Sequence, residues 1–361
     1  MTLAFRNEID ITVWLAGSTI ADVAIQPRSR PPLTRLFAGK PAASLLPVLP
    51  RLFSLCSVAH QVAFLSAIEA AQGLQAAPAM ARNRVTAVVA ERLTELLRSL
   101  FVGRLALDGA SAASVRAMMQ ATTVLGGASE GASEALRCEA VVQIKAALAA
   151  LGIAGQGQAL VPGSALAVYV ERCEDEGLSP PSVEQSFLTA ADDLDIVTRL
   201  LAGGPAYSDA PELCGKIPET GVWARARCEP ALPAAGAAAR LEARIAEVAR
   251  LCVWLDQGDE NLDDGVVASY RLGAGRAAAA VECARGRLYH AVVLDEESRI
   301  VNFEFLAPTE WNFHARGPLV RSLKGAMLAA GRRGQDAVRT LVGAFDPCVG
   351  FNLNFREVGH A

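Results

Sequence analysis

The 361-residue chain is 52% hydrophobic but only 6% aromatic, and 34 basic residues against 38 acidic ones leave a net charge of −4. This length and composition fit one large globular domain or two smaller ones, and exclude a disordered or collagen-like chain. Charge is spread along the sequence without a basic block or an acidic tail, so neither nucleic acid nor an anionic membrane is indicated as a partner.

The opening residues, MTLAFRNEID, lack a basic lead-in followed by an apolar run and a small-residue cleavage site, so no export signal is read and a cytoplasmic location is expected. Residues 8–25 alternate apolar and polar positions on either side of an Ala-Gly-Ser break, which predicts a β-hairpin. The most apolar window, 45–71, contains Pro47, Pro50, Arg51, His60 and Glu69. A spanning helix needs about 20 predominantly apolar residues, so a buried helix is expected here. Helical periodicity continues to about residue 200: Val85, Val89, Leu93, Leu96 and Leu100 recur every three or four positions, with similar runs near 112–123 and 134–152.

Residues 203–235 are aperiodic and rich in proline and glycine, which predicts an irregular loop acting as a lid or docking surface. A helix over about 237–255 follows, with Leu241, Ile245, Val248, Cys252 and Leu255 on one face, making Cys252 a core residue. Three or four strands are expected between Val266 and Leu306, and a last helix over about 318–345. The resulting fold class is α+β, a helical middle flanked by short antiparallel strands, in a single domain over 1–361.

Eight cysteines stand too far apart for a CxxC module, and in a cytoplasmic chain they are expected to be mostly buried free thiols. Three segments carry more specific chemistry: RLFSLCSVAH at 51–60; ECARG at 282–286 followed by APTEWN at 307–312; and DPCVGFNLN at 346–354. In order and rough spacing they resemble the R-x-C-G-x-C-x-x-x-H, E-A-P-R-G with P-[ST]-x-W-N, and D-P-C-x-x-C-x-x-H motifs of the [NiFe] hydrogenase large subunit. The likeness implies a reduced large-subunit-like fold. In that family four thiolates hold nickel and an iron carrying cyanide and carbon monoxide. Here Phe53 stands for the first cysteine, Phe351 for the fourth and Asn354 for the final histidine.

Two phenyl rings and two surviving thiols cannot build a soft four-thiolate nickel site, so no nickel and no hydrogenase activity are expected. The pattern resembles the HupK/HoxV type of hydrogenase expression/formation protein, a non-catalytic scaffold or carrier for the Fe(CN)2CO group during cofactor assembly. The resemblance makes Cys56 and Cys348 the metal ligands, Cys56 matching an iron-bridging position and Cys348 a nickel-terminal one. Ferrous iron with two cyanides, one carbon monoxide and two thiolates carries a charge of −2, costly to bury without donors. Arg285 and Thr309 match the residues that contact the diatomic ligands, and an arginine fork suits a cyanide nitrogen.

His60, one helical turn beyond Cys56, is expected to donate to a cysteine sulfur, and Cys56 to lie at a helix N-terminus where the dipole favours a thiolate. Glu8 reads as solvated strand polarity, Cys283 as strand packing, and His290, His314 and His360 have no assignment. Implied partners are the small hydrogenase maturation chaperone, the iron-cyanide-carbonyl assembly complex and the hydrogenase large-subunit precursor. The alternative is a metal-free interaction module that mimics the large subunit to engage maturation chaperones.

Overall fold

The computed structural model describes residues 8–102, 105, 107–127, 134–154, 159–175, 178–179, 181, 185–226, 236–257 and 265–358. In chain order the elements begin with β1 (Glu8–Ala16), β2 (Thr19–Gln26), α1 (Leu33–Phe37), α2 (Leu49–Leu52) and α3 (Ser57–Gln72). The helical middle comprises α4 (Pro78–Phe101), α5 (Gly109–Gly127) and α6 (Glu134–Ala150), then β3 (Ile153–Ala154), β4 (Ala159–Leu160), α7 (Ala165–Asp175), β5 (Leu178–Ser179), α8 (Asp193–Asp209), α9 (Val222–Ala226) and α10 (Ala237–Gln257). The last third holds β6 (Val267–Gly273), β7 (Arg276–Cys283), β8 (Gly286–Leu294), β9 (Ile300–Leu306), α11 (Pro308–Asn312), α12 (Pro318–Leu323), β10 (Met327–Leu328), α13 (Arg332–Ala344) and β11 (Gly350–Glu357).

The hairpin forms as expected: Ile9, Ile11 and Val13 are buried and alternate with more exposed residues, the period of 2 visible in the sequence. On its other edge β1 pairs in parallel with β11, Glu8 opposite Gly350 and Leu15 opposite Glu357, so the first and last strands are neighbours. Leu319, Leu323, Val338 and Leu341 of α12 and α13 share a core with this sheet.

The strands between Val266 and Leu306, expected to be three or four, are four and form an antiparallel meander, β6-β7-β8-β9. In β7 every residue from Ala277 to Val281 is buried, because α3 packs over one face of the meander and α8 over the other. Four consecutive alanines allow both helices to approach closely, and they remove the polar face by which a strand is usually read. α3 is likewise buried on nearly all sides, which accounts for its apolarity; no helix among the described residues is long and apolar enough to cross a membrane.

Three expectations need correction. The apolar window at 45–71 is helical only from Ser57, since Pro47 and Pro50 restrict the preceding stretch to a short 3-10 turn and the single turn α2. The segment 203–235 is not one loop: α8 continues to Asp209 through a kink at Gly204 and Pro205, and Val222–Ala226 is helical, while 227–235 lie outside the described residues. The expected helix at 318–345 is interrupted because Gly325 and Leu328 donate backbone N–H bonds to Ile20 and Ser18 of the hairpin, and Ile20 donates to Ala326, in place of helical partners.

The turn between β7 and β8 is clamped from outside. Asn312 accepts from Thr220 N–H (3.0 Å) and donates to Thr220 O (2.9 Å), holding residues 220–221 against residues 285–286. Gly286 has φ +128, and a Cβ there would lie 2.8 Å from Gly221 N and overlap the Thr220 side chain. Gly286→Ala is therefore expected to destabilise the fold by about 1–3 kcal/mol through backbone strain alone. A thermal melt unchanged from the parent would contradict this packing.

Candidate functional site

The three motif segments converge on one cavity of about 180 Å³. Cys56 and His60 come from the start of α3, Cys283 and Arg285 from the β7–β8 turn, Pro308 from the start of α11, and Cys348 from the approach to β11. Cys56 and Cys283 are 6% and 3% exposed, and Cys348 is half-buried.

Cys56 caps α3 in the left-handed conformation, φ 55, so the expected helix start is borne out. The expected thiolate preference is not. The free N–H groups of Val58 and Ala59 donate to the Glu91 carboxylate of α4, at 2.7 and 2.9 Å, so a side-chain anion already meets the positive helix end. The neighbouring Cys283 thiol together with burial pushes the Cys56 thiol well above its ordinary pKa. The Cys56 thiol beside it, helped by the backbone N–H of Arg285, lowers the Cys283 pKa. Cys283 packs in the core as read from the sequence, and the tertiary fold also brings it to the same cavity as Cys56.

Arg285 is buried beside these thiols. Its Nη1 donates to Cys56 Sγ at 3.3 Å, both Nη groups reach Glu95 Oε2 at 3.3 Å, and its Nε lies 3.5 Å from Asp346 Oδ2. Arg28, which no motif signalled, also lines the cavity and pairs with Glu310 at 3.2 Å. The Nε donors of Arg28 and Arg285 are both buried without a hydrogen-bond acceptor. The Thr309 hydroxyl lies 3.0 Å from Cys348 Sγ and accepts from Cys348 N–H, fixing that cysteine.

His60 does not bond a sulfur. Its Nδ1 lies 2.8 Å from Nε2 of His290, and its ring stacks on Phe53 with centroids 3.7 Å apart. Burial, reinforced by His290 and Arg28, holds His60 well below the usual histidine range, and burial alone brings His290 down to about 3. His290 thus acquires the partner that sequence reading could not give it, from a strand buried throughout. Of the two phenylalanines, Phe53 lines the cavity, whereas Phe351 sits in β11 opposite Ile9 and packs on the hairpin core; Asn354 is exposed opposite Thr12. Glu8 is exposed and accepts from Asn352, His314 accepts from Arg316 N–H, and His360 lies outside the described residues.

Among the described residues no three His, Cys, Asp or Glu side chains are grouped so as to hold a metal ion by themselves. The cavity offers three thiols and two guanidinium groups, a set suited to an anionic group that brings further ligands of its own. Its volume equals about six waters at roughly 30 Å³ each, room for one iron with three diatomic ligands.

Residues 236–351 match the family model of the nickel-dependent hydrogenases. The chain is 76% identical to the hydrogenase expression/formation protein HupK of Bradyrhizobium diazoefficiens over the full length of both. It is 34% identical to HupK of Rhizobium leguminosarum bv. viciae, over 98% of this chain and 97% of that protein. In fold it resembles the reduced, active Ni-Fe-Se hydrogenase of Desulfomicrobium baculatum, with TM-score 0.63 and 15% identity over 93% of this chain and 95% of that one. This last likeness is one of architecture.

The histidine pair makes stability pH-dependent. A folded pKa of about 3 against an unfolded value of about 6.5 means that the neutral ring is favoured by the fold. The contribution is complete above about pH 6.5 and is lost as pH falls toward 3, by about 1.4 kcal/mol per pH unit. His290→Gln, which keeps a polar partner for His60, is expected to flatten the dependence of melting temperature on pH between 7 and 4. An unchanged slope would show that the pair is not buried as described.

Proposed function

Because the chain belongs to the HupK/HoxV family of hydrogenase expression/formation proteins, we propose that within hydrogenase maturation it is a cytoplasmic, non-catalytic carrier that transiently holds the Fe(CN)2CO group as cargo. The observation that carries this reading is the convergence of thiols and two guanidinium groups, those of Arg28 and Arg285, on one small cavity. A bare metal ion needs three or four protein ligands, whereas an iron that arrives with three diatomics needs only a thiol pair and donors for its cyanides.

Within this reading sulfur comes from the thiols lining the cavity, for which the motifs name Cys56 and Cys348, and Arg285 and Arg28 direct N–H groups to cyanide nitrogens. Thr309 acts on the cargo through Cys348, and His60 closes the apolar side with Phe53. Nickel has no place, because Phe53 fills the wall where another thiolate would stand and Phe351 lies away from the cavity. The partners are a small maturation chaperone, the iron-cyanide-carbonyl assembly complex that loads the cargo and the hydrogenase large-subunit precursor that receives it.

The test is protein purified without oxygen from cells that also express the maturation machinery. Iron below one equivalent, essentially no nickel, and infrared bands in the cyanide and carbonyl region are expected. Arg285→Met should lose most of the iron while still capturing the chaperone in a pull-down. Stoichiometric nickel, or iron without those bands, would overturn the carrier reading; chaperone capture without any iron in the parent would favour the metal-free interaction module.

A further inference from the structure

We propose that Cys283, which lines the same cavity as Cys56, is a ligating residue, and that Cys56 and Cys283 form the thiol pair that takes a soft metal centre at this site. The inference rests on the carrier reading for the identity of the cargo, but not for the existence of the pair.

Three observations support it. Cys56 and Cys283 are both buried and both line the cavity, whereas Cys348 is engaged with the Thr309 hydroxyl. The Arg285 fork, two residues beyond Cys283, donates to Cys56, so one guanidinium is placed beside the pair. The motif comparison also leaves the iron short of a bridging thiol, since the residue at the fourth cysteine position, Phe351, faces the hairpin core instead of the cavity. Cys283 places a sulfur beside Cys56 from a different segment of the chain, replacing in space what was lost in sequence.

Binding is a ligand substitution. Two Fe–S bonds form, the two thiol protons leave to solvent, the ligands by which the donor held the iron depart, and the iron stays ferrous. Cys348 then lies outside the primary pair, at the side where Thr309 holds it.

The pair is tested first without iron. Cadmium ion titrated into the full-length reduced protein should give an ultraviolet thiolate-to-cadmium band from a tight site. Cys56→Ala and Cys283→Ala should each weaken that site at least tenfold, and Cys348→Ala should leave most of it. Cys283→Ser serves as a second variant that preserves size and polarity, and thermal melts of all variants establish that the fold is intact. Parent-like cadmium binding by Cys283→Ala or Cys283→Ser overturns the proposal.

The second measurement is iron content and infrared bands of the same variants, matured anaerobically. Loss in both Cys283 variants with substantial retention in Cys348→Ala is expected; parent-like loading without Cys283 overturns the proposal. If the cadmium site depends on Cys283 while the parent shows no cyanide or carbonyl bands, the thiol pair is upheld and the carrier reading fails.

Discussion

One guanidinium links the segments that surround the cavity. Arg285 reaches Cys56 at the start of α3, Glu95 on α4 and Asp346 after α13, all from the turn between β7 and β8. Each contact alone is a weak argument for stability, because removing ions from water costs much of what their attraction returns. Their joint effect is geometric: a planar fork with fixed donor directions allows only one arrangement of the four segments. The same four segments bring the cysteines within reach of one another, so the position of this arginine sets the shape of the cavity.

Around that point lies a second charged framework. Arg287, bonded to Asp193, also meets Glu282; Glu282 meets Arg225; Arg225 and Arg92 share Glu247. Burial opposes ionisation of Glu247, yet the two arginines hold its carboxyl down at about 2. This alternating chain ties α4, α8, α9 and α10 to the meander and passes through the residue next to Cys283. The backbone carrying the thiol is therefore braced on the side away from the cavity, which restricts how far Cys283 can move when a ligand enters.

The hairpin and the four meander strands were legible in the sequence because strand alternation and turn residues act locally, and α10 was legible because one face is apolar and the other polar. The break between α12 and α13 was not, since its hydrogen bonds go to a hairpin three hundred residues earlier. The motifs correctly brought Cys56, Arg285 and Cys348 to one place. They could not show that Glu91 would occupy the start of α3, that His60 would turn to His290, or that Cys283 would line the same cavity as Cys56. Each depends on what stands opposite in space, and β8 offers no polar alternation from which the situation of His290 could be read. Arg28 follows the hairpin with no local signal; its role comes only from where the chain passes next.

The parallel pairing of β1 with β11 has a consequence for synthesis on the ribosome. The outer ladder of β1 stays open until the last strand of the chain emerges, and a contact of such sequence separation forms late. Cys348 lies immediately before that strand, whereas Cys56 and Cys283 belong to segments that can already have packed together. The cavity thus has a chronology: two sulfurs and the arginine fork are assembled while one wall is still missing, and the arrival of β11 shuts it. A nascent chain at that stage would present the site more openly than the finished protein does.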